Sequence, residues 1–255
     1  MSKVIEQRQT SFMLTFATQL RAILATAVAV PFTFCMCFIV IAAGSVGQPR
    51  QATVLMRLWS AAVLWLFQIR VEATGVERLP EQGGGIIVFN HQSHFDIPAM
   101  MLSTAASIRF GAKIELFKIP FFGGAMRAVG TLPIARESRS EVLRTYQEAK
   151  ARFNENTIFV LAPEGTRQAE PQLGRFKKGP FSFAISAQVP LIPVVIKGAY
   201  EVLPKKNLLV NVGAWSRTIR IHYLPAVETK ELTQADVEGL LTTVRADMDT
   251  VFRRL

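Results

Sequence analysis

The chain has 255 residues, half of them hydrophobic, and 29 lysines and arginines against 19 acids give a formal charge of +10. That length holds one substantial α/β domain and an appendage, and the basic excess suits an anionic bilayer or an acidic carrier protein. The scattered basic residues, with no base-stacking or groove-reading motif among them, exclude nucleic acid as a partner.

The N-terminus is organised by an apolar run. From Ala22 through Pro49 there is no charged residue, and the apolar part to about Ala43 is long enough to cross a bilayer at ~1.5 Å rise per residue. It is too long for a signal peptide and lacks a small-x-small exit. Cys35 and Cys37, the only cysteines, sit inside it, which excludes a disulfide framework or metal site and fits a reducing cytoplasmic setting. A second apolar segment, Thr53 to Ile69, carries Arg57 among Leu58, Trp59 and Trp65, a pattern that suits an interfacial helix better than a clean span. A two-span hairpin with both ends cytoplasmic would put Arg50 and Arg57 at the far interface, against the positive-inside tendency. The expected arrangement is therefore a monotopic pair of helices in the cytoplasmic leaflet of the inner membrane, over residues 1–70, ahead of an α/β domain over 71–255.

Within that domain, β-favouring runs predict strands near Ile86–Phe89, Ser107–Ala112, Gly130–Ala135, Thr157–Leu161, Leu191–Lys197 and Thr218–Tyr223. Helical periodicity predicts helices over Ile97–Ala105, Glu141–Phe153, Pro180–Ala187 and Gln234–Arg253. Capping patterns open two of them, Ser138-x-x-Glu141 and Thr233-x-x-Asp236. Strand and helix alternate, so the fold class is α/β: a single mixed or mostly parallel sheet flanked by helices, preceded by the apolar two-helix element.

Chemistry concentrates where strands empty into loops. After Ile86–Phe89 come Asn90, His91, Gln92, Ser93, His94, Phe95 and Asp96. An imidazole followed five residues later by a carboxylate suits a general base, His91, whose second ring nitrogen is held by Asp96. The same letters allow a blander reading, in which Ser93-x-x-Asp96 is a helix cap and His91 is structural. His94 is a rival base. After Thr157–Leu161 come Ala162, Pro163, Glu164, Gly165, Thr166 and Arg167, then Gly174-Arg175-Phe176-Lys177-Lys178-Gly179. An arginine, a glycine open to close backbone approach and a hydroxyl suit a phosphate or a developing oxyanion. Alone, the block reads better as a Pro-Glu-Gly turn with solvated charges. Between the two, Lys113 and Arg136 are candidate anion ligands, and Phe117-Lys118-Ile119-Pro120-Phe121-Phe122 could line an apolar groove.

Taken in order, Asn-His-x4-Asp, Lys-x-Glu-Leu-x3-Pro-x2-Gly with a downstream Gly and Arg, Pro-Glu-Gly-Thr-Arg, and Val189-Pro190-Leu191-Ile192-Pro193-Val194 resemble the glycerolipid acyltransferase family, in particular its bacterial lysophosphatidate members. The likeness runs over roughly residues 84 to 196. Two positions depart from the family pattern: Ala162 stands where Phe is usual, and Gln168 where Ser is usual. The resemblance implies transfer of a fatty acyl group from acyl-CoA or acyl carrier protein to the sn-2 hydroxyl of lysophosphatidic acid, at a membrane, without metal or cofactor. It implies His91 and Asp96 as the catalytic dyad, and Lys113, Arg136, Glu164, Gly165, Thr166 and Arg167 as the acceptor-phosphate and transition-state region. A sister acyltransferase using another lysolipid, such as a lyso-ornithine lipid, fits the same blocks. An inert membrane-binding module would tolerate losing His91, Asp96, Glu164 and Arg167, all of which are intact.

Overall fold

At Gly85–Phe89 (β2) and Ile158–Leu161 (β5) every residue is buried, as strands in the middle of a sheet covered on both faces must be. The computed structural model, which describes residues 2–45, 49–82, 84–155 and 157–255, sets these two side by side at the centre of a seven-stranded sheet. The other strands are Ile69–Thr74 (β1), Ile108–Lys113 (β3), Leu132–Ile134 (β4), Leu191–Lys197 (β6) and Arg217–Tyr223 (β7), in the order β1-β7-β6-β2-β5-β3-β4. Every pairing is parallel except β6 with β7. The sheet is thus mixed and mostly parallel, as the alternation of strand and helix predicts.

Along β2 the side chains alternate between two cores. Ile87 and Phe89 join Phe95, Met100 and Met101 of the segment containing Asp96–Ser103 (α3). Ile86 and Val88 face the other way, toward Arg139–Ala149 (α5), Gly179–Ala187 (α6) and Val237–Arg254 (α8). There Tyr146 stacks flat on Phe183, the ring centroids 4.2 Å apart. The Ser138 hydroxyl accepts the Glu141 N–H at 3.4 Å, and Thr233 with Asp236 forms a complete capping box, so both anticipated helix starts are present.

Three elements were not anticipated. Strand β1 begins at Ile69, inside what reads as the second apolar helix and before the expected 70/71 division. Phe122–Ala128 (α4) and Ala199–Val202 (α7) are short helices. The expected Glu141–Phe153 helix ends at Ala149 and tightens into a 3-10 segment, Lys150–Glu155.

The N-terminal element consists of Ser2–Ser45 (α1) and Pro49–Leu66 (α2). The buried stripe of α1 is made mostly of small residues, Thr18, Ala22, Ala25, Ala29 and Cys37, with Val40, while Phe16, Leu24, Val28, Phe34 and Phe38 are exposed. That inversion suits close helix packing in an apolar medium, where small residues bring backbones together and large ones face lipid. At Gly44 a side chain would come within 2.7 Å of the Ala128 Cβ, so α1 and α4 meet closely there. The Trp59 indole N–H donates to Thr33 Oγ1 at 3.0 Å, joining α2 to α1. Arg57 donates to the Ala106 carbonyl at 3.0 Å, so its charge turns toward the domain. The Arg50 side chain, on which the expected topology partly rests, lies outside the described residues.

Candidate active site

The carboxyl end of a parallel strand next to a reversal of strand order is where α/β folds hold ligands, and β2 and β5 empty there together. Asn90 ends β2. Its side-chain amide donates to the Ile196 carbonyl at 2.8 Å and accepts the Ile196 N–H at 2.7 Å, taking the place of a strand residue and releasing the following chain into a loop.

That loop closes around one atom. Oδ2 of the fully buried Asp96 accepts His91 Nδ1–H at 2.7 Å and the N–H groups of Gln92 and Ser93, each at 2.9 Å. The bland and the catalytic readings of Asp96 therefore hold of the same oxygen: it organises the start of α3 and it orients the imidazole. With Nδ1–H committed to a carboxylate, Nε2 is the lone-pair nitrogen, and the His91 side chain is 16% exposed.

The loop after β5 is tied to the same place. Glu164 is buried; Oε2 accepts the His91 N–H at 3.0 Å and the Gln168 amide at 3.2 Å, and Oε1 accepts the Gly174 N–H at 2.9 Å. The Gln168 N–H donates to the His91 carbonyl at 2.9 Å. Burial raises the Glu164 pKa above the usual glutamate value, and the donors from Gly174, His91 and Gln168 only partly offset it. Gly165 turns with φ at +71°, a conformation that favours glycine. Its N–H bonds the Ala162 carbonyl at 3.0 Å, whereas the Thr166 N–H makes no hydrogen bond among the described residues. Arg167 is half-buried and lies within the field of Asp96: burial lowers its pKa and the Asp96 charge opposes that. His94 is held below the ordinary histidine value, first by burial, then by Arg167 and His91.

His91, Asp96, Glu164, Gly165, Thr166 and Arg167 thus come together. Lys113 and Arg136 form a second group around Glu115: Lys113 pairs with it at 3.6 Å, and the pKa of Arg136, lowered by burial, is raised by the Glu115 charge. No hydrogen bond or ion pair joins this group to His91 among the described residues. Two cations without an assigned role also border the Gly165 turn. The Lys177 Nζ lies 3.2 Å from where a Gly165 Cβ would stand, and Lys205 Nζ donates to Thr166 Oγ1 at 3.3 Å. Lys177 sits in a block that attracts notice in the sequence. Lys205 lies in a polar Pro-Lys-Lys-Asn stretch with nothing to separate it from solvated charge.

Beside the dyad lies a cavity of about 360 Å³ between α1, α2, α3, β3 and α4, within the size range of small-molecule sites. Its wall is apolar, with Cys37, Met56, Trp59, Met101 and Phe122 among its residues, and His94 is part of it. Phe122 lines it as the aromatic cluster suggests; Phe121 is half-exposed and meets Phe38 of α1, centroids 4.6 Å apart.

A family model described as Acyltransferase matches residues 70–197. The chain is 31% identical over 202 residues to human 1-acyl-sn-glycerol-3-phosphate acyltransferase alpha, covering 79% of this chain and 70% of that protein. It is 26% identical over 206 residues to 1-acyl-sn-glycerol-3-phosphate acyltransferase from Borreliella burgdorferi, covering 81% and 80%. In fold it is similar to the crystal structure of the 1-acyl-sn-glycerophosphate acyltransferase PlsC from Thermotoga maritima, with a TM-score of 0.78 and 22% identity over 94% of this chain and 96% of that one. The match spans the sheet from β1 to β6 and both loops that meet at His91, and on it the chain belongs to the acyltransferase family.

Proposed function

We propose that the chain transfers a fatty acyl group from acyl-CoA or acyl carrier protein to the sn-2 hydroxyl of 1-acyl-sn-glycerol 3-phosphate, forming phosphatidate. The relatives from human and Borreliella carry the name of that activity, and the observation that carries the reading is the His91–Asp96 bond of 2.7 Å, which leaves Nε2 as a base.

A lipid hydroxyl is a poor nucleophile and a thioester is already activated, so one base and one oxyanion stabiliser suffice. His91 Nε2 takes the hydroxyl proton as the oxygen attacks the thioester carbon, and Asp96 steadies the imidazolium. The tetrahedral oxyanion forms against the Gly165–Arg167 turn, where the Thr166 N–H is the backbone donor at hand. On collapse the thiolate leaves and recovers the proton from His91. No acyl-enzyme forms. Arg167 faces the acceptor phosphate, with Lys113 and Arg136 supplying further positive charge along the same sheet edge. Glu164 acts through His91, by holding its N–H. The apolar cavity beside His94 receives an acyl chain.

Residues 1–70 are the membrane element and 71–255 the catalytic domain in this reading, at the cytoplasmic face of the inner membrane. Support comes from the 33-residue apolar stretch Met13–Ser45 and from the large side chains that α1 leaves exposed. The test is a side-by-side assay: purified enzyme with labelled acyl thioester, offered lysophosphatidate, glycerol 3-phosphate and neutral lysolipids. Acylation of lysophosphatidate well above the others is expected. Preference for a lyso-aminolipid would move the assignment to a sister acyltransferase.

A further inference from the structure

An acceptor that carries a phosphomonoester brings close to two negative charges at neutral pH, and it brings them near the base. Between the attacking sn-2 oxygen and the phosphorus lie four bonds, a reach of about 6 Å at ~1.5 Å per bond. The phosphates of a thioester carrier are separated from the thioester by its long pantetheine arm. Cations grouped on the Gly165–Arg167 turn, next to the Glu164 that holds the His91 N–H, therefore face the acceptor's phosphate. Arg167 offers one charge against two, and Lys113 and Arg136 share theirs with Glu115.

We infer that Lys177 and Lys205 complete the phosphate site, with Arg167 and the Thr166 hydroxyl, and select a phosphomonoester headgroup. This rests on the function proposed above. The two ammonium groups converge on one turn from different parts of the chain: Lys177 Nζ beside Gly165, Lys205 Nζ on Thr166 Oγ1 at 3.3 Å. Neither is paired with a carboxylate, nor is Arg167, among the described residues, whereas Lys113 shares Glu115 and the adjacent Lys178 pairs with Glu238. Three cations without a salt-bridge partner, only Arg167 of them in the field of Asp96, make an anion site, and three donors around one turn suit the three outer oxygens of a phosphomonoester.

Both backbones are fixed. The Lys177 N–H donates to the Pro163 carbonyl at 2.8 Å, which anchors that segment to the turn containing Glu164. Lys205 belongs to the loop between α7 and β7, beyond residue 197 where the family match ends. That loop is held at several points: the Ser93 hydroxyl donates to the Leu203 carbonyl at 3.1 Å, Asn211 donates to the Phe67 carbonyl at 2.7 Å, and the Gly213 N–H donates to Thr18 Oγ1 of α1 at 3.0 Å. The cation is thereby referenced both to the His91 loop and to the N-terminal helices.

The test is steady-state kinetics of the full-length enzyme in mixed micelles, with lysophosphatidate and, separately, the phosphodiester lysophosphatidylglycerol as acceptors. Lys205→Met and Lys177→Met should each raise KM for lysophosphatidate by roughly ten- to a hundredfold, the scale of a lost hydrogen bond to a charged group, with donor KM and circular dichroism unchanged. Lys205→Arg should restore most of the loss, and the variants should lose less against the phosphodiester, so that discrimination between the two acceptors narrows. Both side chains are exposed, so neither substitution opens the core. An unchanged lysophosphatidate KM in both methionine variants, or a rise in donor KM instead, would overturn this inference alone. A wild-type enzyme indifferent to lysophosphatidate would overturn the proposed function and this inference together.

Discussion

His91 and His94 compete for the role of base, and their surroundings separate them. His91 has an orienting carboxylate at 2.7 Å and a partly open face; His94 makes no hydrogen bond or ion pair with a carboxylate among the described residues, stands on the cavity wall, and has its pKa lowered by burial and by Arg167. His91→Ala should lower turnover by ~10² or more, on the scale of general-base contributions, and His94→Ala far less; reversal of that order in folded, purified variants would exchange their roles. Glu164 gives a pH signature. Its folded-state pKa is raised by burial, so the stability it contributes is fully present below the unfolded glutamate value and declines as pH rises toward the folded one. In Glu164→Gln that decline should vanish from a plot of denaturation midpoint against pH. A carboxamide also has one accepting oxygen for donors that now approach two, so a backbone N–H of His91 or Gly174 loses its acceptor. The cost is roughly 1–3 kcal/mol, read as a fall in turnover with little change in acceptor KM. The His91–Asp96 pairing is legible in sequence because a His and an Asp five apart leave the same strand. Asn90, Lys177 and Lys205 were not assigned roles, because their partners, Ile196, Gly165 and Thr166, are brought near only by the sheet order and by a loop after α7.

At the level of elements, the six anticipated strands all form: β2, β5 and β6 are near-continuous buried apolar runs, as strands covered on both faces must be, whereas β7 reads by alternation. Strand β1 escaped notice although its residues alternate: Ile69 is buried, Val71 and Ala73 half-buried, and Arg70, Glu72 and Thr74 vary toward solvent. Joined directly to an apolar helix through Gln68, at φ 54°, it shares its first residue with the helical run and the boundary disappears. Helix α4 was hidden differently. Its Phe-Gly-Gly-Ala start is poor in helix propensity, and it is held by tertiary contact, with Gly124 beside Ile41 and Gly44 beside Ala128. That contact also makes α4 one wall of the cavity, and the wall can be moved. Val129, half-buried at the end of α4, lines the same space. Val129→Phe should shorten the cavity, so turnover with long-chain thioesters should fall several-fold relative to medium-chain ones, measured by competition between labelled donors. Equal loss for both chain lengths would mean that the acyl chain lies elsewhere.

Across the whole molecule, the direction of α1 relative to the domain bears on how the enzyme meets its substrate. Its contacts run from Thr18, which receives the Gly213 N–H, to Gly44, which touches Ala128. That is roughly 40 Å of helix at ~1.5 Å per residue, laid along the domain rather than leading away from it. Helix α2 is likewise committed, with Val63, Leu64 and Phe67 in the domain core and Arg57 on the Ala106 carbonyl. In the shallow arrangement proposed above, a helix flush with a domain containing a charged active site stays on the same face of the bilayer as that domain. The surface left over is apolar, with Phe16, Leu24, Phe34, Phe38 and Phe121 exposed, and burying it in lipid at ~25 cal/mol per Å² outweighs what scattered basic residues supply through a salt-screened double layer. Attachment should therefore persist in high salt and yield to detergent. For topology, the decisive site is the exposed Gln51 at the start of α2. A Gln51→Cys enzyme with Cys35 and Cys37 replaced by alanine should react with an impermeant thiol reagent from the cytoplasmic side, or be shielded within the interface. Reaction from the opposite face of sealed vesicles would mean that α1 crosses the membrane, and the shallow arrangement of the two helices would have to be given up.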